Sequence, residues 1–168
     1  MNQNTMAKAM AEYFGAEKSE SLLFMLVGVA ATATAIFLWR AAPAWRGMAV
    51  PLVAVAAIQI VVGGSVYFRT DAQLKTLTAQ MQQTPAEFRN AELKRMDTVN
   101  KNFAIYKLVE ILLLASGILL TYFFNHNDFV FSAGHGFIIQ SAFMLILDLF
   151  AERRAEYYVA QINQLLGV

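Results

Sequence analysis

The chain has 168 residues, of which 58% are hydrophobic and 15% charged, with a formal net charge of +1 and no cysteine. A soluble domain carries roughly a quarter charged residues, so the apolar surplus calls for a lipid solvent. The missing cysteines exclude disulfides, thiolate metal sites and cysteine nucleophiles, and the near-neutral balance leaves no electrostatic footprint for nucleic acid.

Residues 1–18 come first, with Met6, Met10, Tyr13 and Phe14 set between Thr5 and Gly15. That spacing predicts a short amphipathic helix lying in a membrane interface, with docking against the rest of the chain as the alternative. The first span is expected over 20–40. Its apolar run is too long for the core of a signal peptide, and in a chain starting at Met1 it is read as retained. A short loop carries Arg40 and Arg46, and a second span is expected over 47–69.

Residues 70–102 hold one proline and no glycine, which predicts two helical arms rather than a loop. Thr84, Pro85 and Glu87 have capping-box spacing with proline at the first helical position, so the second arm should start there. Leu74, Leu77 and Met81 form a stripe on the first arm, facing Phe88, Met96, Val99, Phe103 and Tyr106 on the second. A third span is expected over 103–124, a tight connection at Asn125 to Asp128, and a fourth span over 129–149. Beyond it, 150–166 continues as a helix with a stripe of Ala151, Ala155, Tyr158, Ile162 and Leu165, stopping at Gly167.

Continuous apolar runs of about 20 residues mark helices, not the alternating strands of a barrel. The fold expected is all-α: an integral membrane four-helix bundle with helices 2, 3 and 4 extended into a cytoplasmic helical stalk. Four spans place both termini and the 70–102 hairpin on one side, together with every Lys and Arg outside the spans except Arg40 and Arg46. Basic residues stay on the cytoplasmic side, so the chain is expected in the cytoplasmic membrane with both termini inside. Trp39, Trp45 and Tyr122 then fall at an outer aromatic belt.

Ionisable groups within a membrane are costly, which makes them the first candidates for function. Glu20, Arg69, Lys107, Glu110, Asp148, Glu152 and Arg153 should form one charged layer near the cytoplasmic ends of the spans, with Lys107 to Asp148 and Glu110 to Arg153 as the expected pairs. A structural ion-pair ring accounts for such a layer, and a proton or cation site is the sharper alternative. Gln59 and Gln140 fall near the midplane, where they can bond to one another or line a small pathway. His135, flanked by Gly134 and Gly136, reads as a polar packing residue.

No Glu-x-x-His pair, axial haem ligand set, nucleophilic triad or phosphate-binding glycine loop is found, so neither cofactor nor metal is expected. The leading expectation is a non-enzymatic membrane protein acting by helix association, with lipid around it and a second copy or a membrane or cytoplasmic protein partner on its stalk. A small oligomeric channel or ion-coupled transporter is the alternative. An immunity protein against a pore-forming toxin and a membrane-embedded enzyme follow.

Overall fold

The computed structural model describes residues 3–166, and these are helical almost throughout, with no strand among them. Helix α1 spans Gln3–Ala41, a 3-10 turn covers Pro43–Met48, and α2 runs Ala49–Gln83. Helices α3, Pro85–Phe123, and α4, Asp128–Leu166, complete the chain. A helix of 39 residues such as α1, α3 or α4 is about 58 Å long, nearly twice a hydrocarbon core of about 30 Å. Each helix therefore has an apolar half and a polar half, and all four are long and apolar enough to cross a membrane.

Helices α1 and α2 pack together along their length, as do α3 and α4, whereas the backbones of α1 and α3 stay apart and these helices meet through long side chains. In the middle of the apolar half, α2 meets α4. Helix α3 is the peripheral member there: 11% of its most apolar stretch is buried, against 39% for α2.

The two halves are packed by different means. The polar half encloses large side chains, namely Met6, Met10, Phe14, Met81, Phe88, Met96, Tyr158 and Ile162, all at 0–1% exposure. Burying such groups away from water is the main source of stability for a water-soluble bundle. The apolar half instead joins α1 to α2 through Ala31, Ala35, Ala49, Leu52 and Ala56. There α3 meets α4 at Gly117 and Gly134, where a methyl group added to Gly117 would come to 2.7 Å from the Gly134 carbonyl oxygen. Close backbone approach through small residues is how helices associate when the surroundings are as apolar as their side chains.

Several expectations are corrected. Helix α1 begins before Thr5 and passes through Gly15 without a break, so residues 3–18 are not a separate interfacial helix. Their apolar stripe docks into the polar half, which is thus built from all four helices rather than from helices 2, 3 and 4. A strong tertiary stripe overrides the weak helix propensity of a single glycine. Helix α3 does start at Pro85, but Thr84 makes no side-chain capping bond; its hydroxyl turns back to the Gln80 carbonyl at 3.4 Å. Tyr106 is 51% exposed and lies off the buried stripe, which runs through Phe88, Glu92 and Met96 and on to Glu110. At the other connection Asn127 caps α4, its side-chain oxygen accepting from the Phe129 and Val130 amides at 3.1 and 3.2 Å. Gly167 and the Leu165 side chain lie outside the described residues.

Candidate functional site

The charged layer forms where the two halves meet. Lys107 on α3 donates to both oxygens of Glu152 on α4, at 2.6 and 2.7 Å. Arg154 on α4 grips both oxygens of Glu20 on α1. Lys18 of α1 bonds Asp71 of α2, and Arg69 reaches Glu17 at 4.0 Å while remaining 57% exposed. These contacts stitch α1 to α2, α1 to α4 and α3 to α4.

The expected pairs are wrong by one turn. Lys107 meets Glu152 instead of Asp148, and Glu110 faces Asp148 instead of Arg153. In an antiparallel pair, three residues back along α3 corresponds to about four forward along α4, which carries the partner of Lys107 beyond Asp148 to Glu152. Asp148 and Glu152 are four apart and share the face toward α3, whereas Arg153 is rotated about 100° from Glu152 and stays exposed. Arg154, a further step round, points toward α1. Arg153 has no ion-pair partner among the described residues.

Two acids therefore face one another across the α3–α4 seam, with the Lys107 charge acting on Asp148. The Glu110 and Asp148 carboxyl groups are near enough to act on one another. Glu110 is 2% exposed, and no donor of the protein reaches its Oε2. Two ionised carboxylates repel at this range, while one proton held between them turns the contact into a hydrogen bond. A hard cation such as calcium or magnesium takes six or more oxygens, water included. Among the described residues no three His, Asp or Glu side chains are grouped to hold a metal.

Deeper in the apolar half, the Gln59 Nε2 donates to Gln140 Oε1 at 3.2 Å, joining α2 to α4 with both side chains at 3% exposure or less. His135 is not part of this pair. Its Nδ1 lies 3.0 Å from the Phe131 carbonyl oxygen, and its ring meets those of Trp45 and Phe131 at 5.6 and 4.5 Å.

A polar knot inside the polar half lay outside the expected layer. Glu92 accepts two bonds from Arg95, at 2.8 and 2.7 Å, and a third from the Tyr158 hydroxyl at 3.1 Å. Tyr158 stacks on Tyr13 with centroids 4.4 Å apart, and the Arg95 guanidinium lies 5.3 Å from the centre of the Phe14 ring. Burial raises the Tyr158 hydroxyl well above its ordinary range, with the Glu92 charge adding to the effect, and pushes Tyr13 up to about 12. Burial likewise lifts the Glu17 carboxyl above the usual carboxylate range, against the opposing charges of Arg69, Arg95 and Arg154. Glu92 and Arg95 look like members of a solvated face when their charge pattern is read alone. The signal that finds Glu92 is its place four residues after Phe88 and four before Met96.

No family model, no curated protein and no solved structure matches the chain, so the reading of this site rests on its own residues.

Proposed function

We propose that this is a four-span integral protein of the cytoplasmic membrane, with its polar half a cytoplasmic stalk, that binds and releases one proton at the Glu110 and Asp148 pair. The observation that carries the reading is the near-complete burial of Glu110 against a second acid, with an oxygen no donor reaches. The membrane placement is supported by four helices of sufficient length and apolarity and by the contrast between the small-residue seams and the large-residue core. The basic-residue asymmetry supports the orientation. Proton uptake would replace repulsion across the α3–α4 seam with a hydrogen bond, tightening the peripheral helix onto the bundle, and release would loosen it. This is the ion-coupled reading, in which the stalk is the part that responds.

The test is infrared difference spectroscopy of the reconstituted full chain between pH 5 and pH 9. A protonated-carboxyl band should be present in the parent protein, lost in Glu110→Gln and shifted in frequency in Asp148→Asn, which removes its neighbour. Ionised carboxyls throughout that range would overturn the reading.

A second reading, self-association, is favoured by the exposure of α3. The stalk's apolar stripes are consumed within the chain, which removes them as a docking surface. In α3, Ile105, Leu108, Leu112 and Leu119 all face outward at more than half exposure. A second copy on this face would give a dimer in detergent by light scattering, and a monomer at all concentrations would exclude it.

A further inference from the structure

A groove of about 560 Å³ runs between the outer ends of α1 and α2. Its walls are two matched rows at helical spacing: Ile36, Trp39 and Arg40 on α1, and Val50, Val53 and Ala54 on α2. Its floor is made of alanines, Ala35 and Ala49, at 1% and 6% exposure, which leave room where larger residues would have filled the seam. The groove is apolar along its length and ends at a single charge. Arg40 lies in the last turn of α1 and has no acidic partner among the described residues. Arg46 stands nearby, its Nε donating to the Trp39 carbonyl at 2.9 Å, so the outer rim is positive. The exposed Trp39 has the amphipathic character of a side chain seated at headgroup level.

We propose that this groove binds one anionic phospholipid, an acyl chain lying over the alanine floor and the headgroup phosphate meeting Arg40. An unpaired cation at the end of an apolar channel selects for a ligand that is apolar along one end and negative at the other. Helix α1 also gains from a cation at its C-terminal carbonyls, but that partial charge does not neutralise Arg40. The site depends on the membrane reading above and not on the carboxyl pair.

The experiment compares the full chain in nanodiscs or mild detergent supplied with phosphatidylglycerol or phosphatidylcholine, with retained lipid counted by native mass spectrometry. The parent should retain phosphatidylglycerol about fivefold better, the worth of one basic contact at a membrane surface. Arg40→Gln should abolish that preference and Arg40→Lys should keep most of it. Ala54→Leu, which narrows the groove from an exposed wall position, should reduce retention of both lipids, and Glu110→Gln should leave retention unchanged. Equal retention of the two lipids by the parent would overturn the site, as would an unchanged preference in Arg40→Gln. A chain dimer lost on Ala54→Leu would assign the groove to a second copy instead. Recovery of the chain without detergent would overturn the membrane reading together with the site.

Discussion

Phe14 and Phe37 lie on the same helix in opposite surroundings, and truncating each in turn tests the division of the molecule. Phe14 is fully buried, with the rings of Tyr13 and Tyr158 at 5.1 and 6.4 Å and the Arg95 guanidinium on its face. Phe14→Ala removes a whole ring from a packed core and leaves a cavity, at a cost of about 3–5 kcal/mol. For a chain of this length that lowers the melting temperature by about 10 °C. Phe37 is 64% exposed in the apolar half, so Phe37→Ala removes contacts with surrounding lipid or detergent and little protein packing. Its melting temperature should stay within about 2 °C of the parent. Circular dichroism melts of the full chain in one detergent read both. Equal melting of the two variants would refute the docked position of residues 3–18 and return that segment to the membrane interface.

Gly15→Ala should stabilise the protein by about 0.5–1 kcal/mol, because α1 is continuous there and an added methyl meets open space; a chemical melt moving the other way would show a break in the helix. Gly117→Leu should drive α3 from α4 through collision with the Gly134 backbone, seen as a loss of crosslinking between cysteines introduced across that seam. Lys107→Glu and Glu152→Lys should each destabilise by roughly 1 kcal/mol or more, and the double swap should recover most of it, since the pair is direct and half-buried. The folded state holds the Tyr13 proton more tightly than the unfolded chain, from an ordinary 10.0 up to about 12. The corresponding stability, roughly 2–3 kcal/mol, is present below pH 10 and lost as pH rises toward 12. Tyr13→Phe should make that alkaline limb shallower in melts across the range without removing it, because Tyr158 also holds its proton more tightly when folded.

The long helices and their turns were legible because their signals are local. Apolar runs of about 20 residues, the proline at position 85 and the short polar connection before Asp128 each act within one helix end. The stripe Leu74, Leu77, Met81 against Phe88, Met96, Val99 was legible for the same reason. What failed needed the third dimension. Gly15 reads as a stop only while the Met6, Met10 and Phe14 stripe has no partner, and the partner is α4, more than a hundred residues away. The layer of charges could be placed by depth, but depth does not give rotation about the helix axis. Choosing Arg153 over Arg154 turns on a fraction of a turn about the axis, and choosing Asp148 over Glu152 on one turn along it, both fixed only when the helices pack. Gln59 and Gln140 came out facing each other because equal distance from the outer ends was sufficient for two polar groups that must find a partner.

The core shared by the first and last helices imposes an order on how the protein is made. Met6, Met10 and Phe14 emerge from the ribosome early, while Ala155, Tyr158 and Ile162, which cover them, come from the far end of the message. At a synthesis rate of about 5–20 residues per second, the stripe waits roughly 7–30 seconds for its partner. Until then a Met-rich, aromatic helical face stands without the side chains that cover it. Docking of the N-terminal stripe therefore has to follow the synthesis of the last turns of α4. A chain cut short before Tyr158 would keep that stripe uncovered, with the first helix made and its closing partner missing.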